Sequence, residues 1–173
     1  MRIKETKVYQ FSELSETAKE KAIEQLCNIN IHYEWWENTY YDAEHTALLR
    51  LTSFDLDRDC DGKFIESAKD TADKILAEHG DKCETFITAQ EYKAESDQLL
   101  EKYPIDLDED GDDLNEWDRE QVQKEIDNEF LKSILEDYRI ILRKEYKYLT
   151  SEEAIIYTIE ANEYKFTEDG QLA

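Results

Sequence analysis

Glycine and proline are scarce in this sequence, which has four glycines and one proline in 173 residues. Both residue types interrupt helices and form tight turns, so their scarcity predicts long helices joined by few sharp turns. The aromatic content of 12% is too high for a disordered acidic tail, and we therefore expect the chain to fold. A chain of this length can bury a core of its own.

Basic residues are too few to balance the acidic ones. The 21 Lys and Arg residues face 44 Asp and Glu, which leaves a formal net charge of −23 at pH 7. Such a chain repels phosphate backbones and anionic lipid, which argues against direct binding to nucleic acid or membranes. No apolar run has the roughly 18 residues of a membrane span, and the N-terminus lacks a signal-peptide core. The odd count of cysteines (Cys27, Cys60 and Cys83) predicts free thiols and a reducing cytoplasm.

Recognisable catalytic motifs are missing. The sequence has no glycine-rich dinucleotide pattern, no P-loop, no nucleophile elbow and no zinc-protease motif. Carboxylate pairs are so abundant that they carry no information about acid–base catalysis. We therefore expect a protein that is not an enzyme and has no organic cofactor.

Hydrophobic periodicity predicts an α+β fold that is mostly α-helical, with several helices packed on a small antiparallel hairpin and one long helix in the C-terminal half. Alternation over 50–58 and a return strand at 62–65 predict the hairpin, and an N-terminal strand through Ile3, Val8 and Phe11 is a candidate third strand. Helical spacing and capping residues predict helices over 15–28, 33–47, 67–79, 83–103, 114–148 and 150–161. We interpret 1–173 as a single domain, with an α+β portion at 1–82 and a predominantly helical portion at 83–173.

Acidic residues are concentrated in two blocks. Residues 31–62 have a net charge of −6, and residues 106–130 hold twelve acids and two bases, a net charge of −10. If 106–130 were one helix of about 37 Å, it would carry about one acid per 3 Å, half the charge density of duplex DNA. Such a surface could occupy a nucleic-acid channel, and the alternative is a solvated face that maintains solubility. The predicted partner-binding residues are Asp106, Asp108, Asp110, Asp112, Asp113, Glu116 and Glu120, helped by Asp55, Asp57, Asp59 and Asp61.

The aromatic residues of the second predicted helix suggest a different surface. Trp35 and Trp36 are adjacent, so they cannot both face one core, and Tyr41 falls near the face of Trp35. Trp35 and Tyr41 are therefore candidates for a partner-binding aromatic surface. The alternative is a helix sandwiched between two layers of the protein.

One short pattern, D-x-D-x-D-G, occurs twice, at 57–62 and 106–111. It matches the first half of an EF-hand calcium loop, in which alternating carboxylates converge on the ion. The glutamate expected at position twelve is missing, since Ala68 and Trp117 stand there. The alternative is an acidic turn without metal. The candidate calcium ligands are Asp57, Asp59 and Asp61 in the first loop and Asp106, Asp108 and Asp110 in the second.

Four segments resemble a group of small acidic phage and prophage proteins, some of them labelled antitoxin-like: ELSETAKEKA at 13–22, YEWWE at 33–37, SFDLDR at 53–58 and FTEDG at 166–170. The resemblance implies a phage-encoded protein in the bacterial cytoplasm and no catalytic residues. Some acidic phage proteins of this size inhibit CRISPR or restriction systems, and several mimic DNA. The expected partner is a basic host protein that handles nucleic acid. The alternatives are an antitoxin-like interaction module and a weak calcium-binding protein.

Calcium provides a test of the two D-x-D-x-D-G loops. Because both lack the bidentate glutamate, we expect calcium and magnesium to change the melting temperature slightly and to similar extents, through general screening of the carboxylates. Thermal unfolding with each ion checks this expectation. A saturable rise specific to calcium at micromolar concentration would contradict it.

Overall fold

The computed structural model describes residues 7–173, apart from the side chain of Leu100. The fold is mostly helical, with two small antiparallel sheets and one long helix in the C-terminal half, which confirms the predicted fold class. No helix within the described residues is long and apolar enough to cross a bilayer.

The chain divides into two compact units, which differ from the predicted portions 1–82 and 83–173. We call Met1–Trp35 with Arg143–Ala173 the terminal unit and Trp36–Leu142 the central unit. The predicted single domain stays a prediction. Ile3, assigned to the N-terminal strand, lies outside the described residues.

The α-helices are α1 (Glu16–Gln25), α2 (Glu37–Thr46), α3 (Ala68–Glu78), α4 (Glu84–Asp97), α5 (Leu99–Lys102), α6 (Glu116–Leu149) and α7 (Glu152–Ala161). The strands are β1 (Tyr9–Gln10), β2 (Leu49–Phe54), β3 (Cys60–Phe64) and β4 (Lys165–Phe166). Ser15, Ser67 and Ser151 cap α1, α3 and α7, and each side chain accepts a hydrogen bond from a backbone N–H in the first turn. The sequence predicts the cap at Ser67, and it leaves Ser12 open beside Ser15 and Thr150 beside Ser151.

In the terminal unit, the first strand pairs with the chain's C-terminal strand. Tyr9 of β1 lies opposite Phe166 of β4 in an antiparallel pair. The candidate role of this strand as the third strand of the hairpin is therefore wrong, and Phe11 lies in a short 3-10 helix rather than in the strand. Alternation of apolar residues along one strand does not indicate which strand it pairs with. Here β1 pairs with the strand of Phe166, which is fully buried in an apolar cluster with Phe11 and Ile159.

Gly170 allows the C-terminal turn to approach α1. Its φ of +86° is in the left-handed region, and a Cβ built on it would lie 2.1 Å from the carbonyl oxygen of Ala18. Only glycine fits a position that needs both this φ and so close a backbone approach.

In the central unit, β2 and β3 form the predicted hairpin. Leu49 pairs with Phe64 and Phe54 with Cys60, with an irregularity of register between Leu51 and Ser53. Cys60 is buried, and burial, with Asp61 and Asp59 nearby, raises the pKa of its thiol to about 11. Cys60 and the exposed Cys27 and Cys83 are free thiols, as predicted.

The long helix α6 supplies the central unit's core through residues four positions apart. Ile126, Phe130, Ile134 and Tyr138 are all buried in one apolar cluster with residues of α2, α3 and α4. Four-residue spacing keeps side chains on one helical face, as the sequence predicts. Phe130 stacks on Tyr92 of α4 with ring centroids 4.4 Å apart. The spacing of the apolar residues from Val122 to Leu142 predicts a single buried stripe that includes Ile141, and this is wrong at Ile141, which is exposed.

Carboxylates accept hydrogen bonds from tyrosines at the edge of this core. Tyr138 donates to Asp42 of α2 at 3.1 Å, and Tyr92 donates to Asp127 of α6 at 2.9 Å. Burial, together with the neighbouring carboxylate, raises the pKa of both phenols, so they remain donors. Two of the many acids thus bind the helices to one another rather than facing a partner.

A chain of hydrogen bonds continues from Asp42 to α4. The Thr46 hydroxyl donates to the backbone carbonyl oxygen of Asp42 at 2.7 Å and lies 3.0 Å from the Asp42 carboxylate. The same hydroxyl lies 2.9 Å from Nε2 of His79, whose Nδ1 lies 2.7 Å from Oγ1 of Thr85. Because the Thr46 hydroxyl donates to Asp42, Nε2 of His79 is the donor to Thr46, and Nδ1 accepts from Thr85. Burial lowers the pKa of His79, which favours this neutral tautomer.

Alanine at Gly170 should destabilise the protein more than alanine at Gly111. Both glycines have φ near +87°, so each substitution carries the left-handed cost of roughly 1–2 kcal/mol. Only Gly170 faces a backbone atom, since nothing lies within 4 Å of a Cβ at Gly111. We expect Gly170→Ala to lower the free energy of unfolding by more than about 2 kcal/mol and Gly111→Ala by about 1 kcal/mol. Urea denaturation followed by circular dichroism measures both, and equal losses would contradict the close approach.

Candidate functional site

The most acidic segment begins in a loop between α5 and α6, not in a helix. We call residues 104–115 the acidic loop. Leu107 and Asp113 form an isolated antiparallel bridge, and the N–H of Leu114 donates to the carbonyl oxygen of Asp106 at 2.8 Å. The single helix over 106–130 considered for the charge density does not form, because α6 begins at Glu116, two residues after the start predicted for the long helix. The charge of 106–130 lies on a folded loop followed by the first turns of α6.

The tip of the acidic loop is a turn formed by Asp108. The Asp108 carboxylate accepts hydrogen bonds from the N–H groups of Asp110 at 3.0 Å and Asp112 at 2.9 Å. Aspartate often closes a turn in this way, by accepting from the backbone a few residues ahead. Gly111, with φ of +87°, completes the turn.

Asp113 and Arg119 anchor the loop to the start of α6. Asp113 accepts from the N–H groups of Asp106 and Asn115 and forms an ion pair with the Arg119 guanidinium. Arg119 also donates to the carbonyl oxygens of Tyr103 and Pro104. The hydrogen bond from Arg119, aided by the backbone donors, lowers the pKa of Asp113 to about 2. Asp113, predicted to contact a partner, instead makes internal contacts, and its side chain is only 13% exposed.

The other predicted residues of this block are exposed. Asp106, Asp108, Asp110 and Asp112 lie on the acidic loop, and Glu116 and Glu120 lie on the first two turns of α6. The loop hydrogen bonds use backbone groups and the carboxylates of Asp108 and Asp113. The structure thus brings most of the predicted set together on one exposed segment.

The second predicted set lies at the tip of the β2–β3 hairpin. The Asp55 carboxylate accepts from the N–H of Asp57 at 2.9 Å, and Asp61 accepts from the Ser53 hydroxyl at 2.9 Å. Arg139 of α6 donates to the carbonyl oxygen of Leu56 at 2.7 Å, which secures the turn to the helix. Asp55, Asp57, Asp59 and Asp61 are all exposed.

Both D-x-D-x-D-G patterns include residues of hydrogen-bonded turns. At the first, Asp55, just before the pattern, accepts from the N–H of Asp57, and Asp61 accepts from Ser53 across the hairpin; in the second, Asp108 accepts from the N–H of Asp110. Among residues 7–173, no three His, Cys, Asp or Glu side chains lie close enough to hold a metal ion. Calcium binding at Asp57, Asp59, Asp61, Asp106, Asp108 and Asp110 stays a hypothesis for the thermal test.

The predicted aromatic surface does not form around Trp35. Trp35 precedes α2 and is 7% exposed, and its ring packs 5.6 Å from that of Tyr146. Tyr41 is 63% exposed and stacks on His45 of the same helix. The sequence pattern predicts that Trp35 and Tyr41 share one face of a helix. Because α2 begins at Glu37, Trp35 lies outside the helix and cannot share its face with Tyr41.

The sequence analysis missed a set of exposed apolar residues beside the acids. Ile105, Leu107, Leu114 and Trp117 are each 60–69% exposed. The predicted helix over 114–148 includes Leu114 and Trp117, whereas the structure has Leu114 in the acidic loop and leaves both side chains exposed. Periodicity gave no signal of their exposure, since Ile105 and Leu107 are two residues apart, as in a strand, and Leu114 and Trp117 are three apart, as on a helix.

The anchoring of the acidic loop should depend on pH in a defined direction. Because Arg119 lowers the pKa of Asp113 from 3.8 to about 2, the ion pair stabilises the folded loop above pH 3.8 and is lost as the pH falls through 2. We expect Arg119→Ala to return the pKa of Asp113 towards 3.8 and to speed amide exchange at Asp106 and Asn115. NMR titration of the carboxyl carbon and hydrogen exchange measure the two effects.

Lys124→Ala is the matched control, since Lys124 is the other base of the 106–130 block and forms no ion pair with the loop. It should leave both measurements unchanged. An Asp113 pKa that is the same in the Arg119→Ala variant and the wild type would contradict the anchoring role.

Comparison with protein-family models, with curated proteins and with solved structures finds no match to this chain. The resemblance to acidic phage proteins thus stays a prediction. Function is therefore inferred from the charge, exposure and hydrogen bonding of the chain's own residues.

Proposed function

We propose that this chain is a phage-encoded, non-enzymatic inhibitor that binds a basic, nucleic-acid-handling protein of a bacterial CRISPR or restriction system in the cytoplasm. The acidic loop and the first turns of α6 form the binding surface. Their carboxylates take the place of the phosphates that such a protein contacts. The observation that supports the proposal is that these acids are exposed and that no base of the described chain pairs with them, except at Asp113.

The charge of this surface is not neutralised from within. Among the ion pairs of the described residues, only Asp113–Arg119 involves the acidic loop. Of the two bases in 106–130, Arg119 is therefore occupied by the loop's own anchor. Eight exposed acids remain on 106–120: Asp106, Asp108, Glu109, Asp110, Asp112, Glu116, Asp118 and Glu120. A surface of one sign steers a basic partner towards it and repels nucleic acid.

The hydrogen bonds of the loop hold these acids in a defined arrangement. The turn closed by Asp108 and the anchor at Asp113 both form without a partner. A preformed surface loses less conformational entropy on binding than a disordered acidic tail. This favours a specific contact over general electrostatic attraction.

The hairpin tip is a second acidic contact of the same kind. Asp57 and Asp59 are exposed there, and Arg58 lies 4.0 Å from Asp55. The antitoxin-like alternative placed its contact on Trp35, which is buried, and so loses its main residue.

The proposal is tested by expressing the chain in bacteria that restrict an infecting phage and measuring plating efficiency. Wild-type protein should raise the plating efficiency in a strain whose defence system it inhibits. A six-fold variant neutralises Asp106, Asp108, Asp110, Asp112, Glu116 and Glu120 to Asn or Gln and should lose this protection. Asp113 is retained because it anchors the loop, and Asn at position 108 can still close the turn.

The control variant removes the same number of charges elsewhere in the central unit. It changes the exposed Glu37, Glu66, Glu84, Glu91, Glu125 and Glu129 to Gln and should protect as wild type does. If the loop variant and the control variant protected the phage equally, the inhibition would depend on net charge or on another surface of the protein. A wild-type protein that protects against neither CRISPR nor restriction systems would overturn the proposed function.

A further inference from the structure

The acidic loop exposes large apolar side chains at the position where the chain is most charged. Ile105 is 65% exposed, Leu107 60%, Leu114 62% and Trp117 69%. Among the other described side chains, which do not include that of Leu100, the large apolar ones exposed to 60% or more are all tyrosines, which carry a polar hydroxyl. The four non-tyrosine side chains of this exposure therefore fall within one 13-residue segment.

The backbone of the loop brings the two ends of this segment side by side. The Leu107–Asp113 bridge and the bond from Leu114 N–H to the Asp106 carbonyl set 105–107 alongside 113–115. Paired strands lie about 4.8 Å apart. Trp117 follows three residues after Leu114, in the first turn of α6. The four residues form what we call the apolar anchors.

The bonds that hold the acidic loop do not use the side chains of the apolar anchors. The loop is held by backbone hydrogen bonds and by the Asp113–Arg119 pair, none of which uses an apolar side chain. Burying this apolar surface would contribute roughly 25 cal/mol of favourable free energy for each Å² removed from water. Single exposed apolar residues are ordinary, but four large ones within 13 residues of a highly charged segment favour an interaction site.

We propose that the apolar anchors insert into an apolar cleft lined by Lys and Arg on the partner protein, while the surrounding carboxylates pair with those bases. This inference rests on the proposed function and specifies the surface that binds. Charge complementarity selects the occupant. Nucleic acid, anionic lipid and a second copy of this loop are repelled by the net charge of −10 of residues 106–130. A neutral apolar partner would remove water from the carboxylates without supplying bases to pair with them. Because burying an unpaired charge is unfavourable, such a partner would bind more weakly.

The two kinds of residue then have separate kinetic roles. Exposed carboxylates raise the association rate and make it salt-dependent. Buried aromatic and aliphatic contacts set most of the dissociation rate and hence the affinity. Trp117 is the principal anchor, because tryptophan is the residue most often critical at protein interfaces.

Three synthetic 18-residue peptides of defined composition serve as probes. The first is an amphipathic helix of Lys and Leu, the second replaces its Leu with Gln at equal charge, and the third replaces its Lys with Gln. At about 150 mM salt, we expect the full-length protein to bind the Lys/Leu peptide at least about tenfold more tightly than either of the others, which corresponds to the loss of one critical contact. Isothermal titration calorimetry gives the affinities, and stopped-flow fluorescence gives the rates.

A double variant, Leu114→Ala with Trp117→Ala, should lose this tenfold preference through faster dissociation and keep its association rate at low salt. Tyr157→Ala is the matched control, since Tyr157 is 72% exposed on α7 and is not part of the anchors. It should bind all three peptides as wild type does. Far-UV circular dichroism verifies that both variants are folded.

Each contrary outcome has a distinct meaning. Equal affinity for the Lys/Leu and Lys/Gln peptides, lost in the six-fold charge variant, would overturn the role of the anchors and leave the proposed function standing. Binding that the six-fold charge variant retains, or the absence of binding, would overturn both. A Gln/Leu peptide bound as tightly as the Lys/Leu peptide would overturn the basic cleft. Self-association in sedimentation equilibrium, lost in the double variant, would identify a second copy as the occupant and overturn the proposal.

Discussion

The central unit depends on one apolar stripe along α6. Ile126, Phe130, Ile134 and Tyr138 recur every four residues and are buried against α2, α3 and α4. Full burial of such a side chain contributes about 1.5–3 kcal/mol each. This burial has to offset the mutual repulsion of a chain with a net charge of −23.

The acidic residues have two different roles, which depend on what surrounds them. Asp42 and Asp127 accept hydrogen bonds from core tyrosines and bind α2, α4 and α6 to one another. Asp106, Asp110 and Asp112 are exposed on the acidic loop. Asp113 belongs to the first group although it lies within the second in sequence, because Arg119 and two backbone N–H groups surround it. Only the exposed group is available to a partner.

Local patterns predicted the elements well and their partners poorly. The capping serine Ser67 and the hairpin near 50–64 follow from residue preferences over a few positions, and the structure has them as predicted. The partner of the N-terminal strand and the burial of Trp35 depend on contacts with distant parts of the chain. No spacing rule within a single element contains that information.

The sequence by itself determined the sign and concentration of the charge, the mostly helical fold and the buried face of α6, because each follows from composition or from local periodicity. Only the tertiary structure decided which carboxylates face water and which apolar side chains are left exposed. The physical reason is that these outcomes depend on contacts that local spacing cannot reveal, such as the bond between Asp42 and Tyr138, 96 residues apart. Among the exposures that the tertiary structure decides, that of Trp117 beside the acidic loop bears most directly on the proposed function.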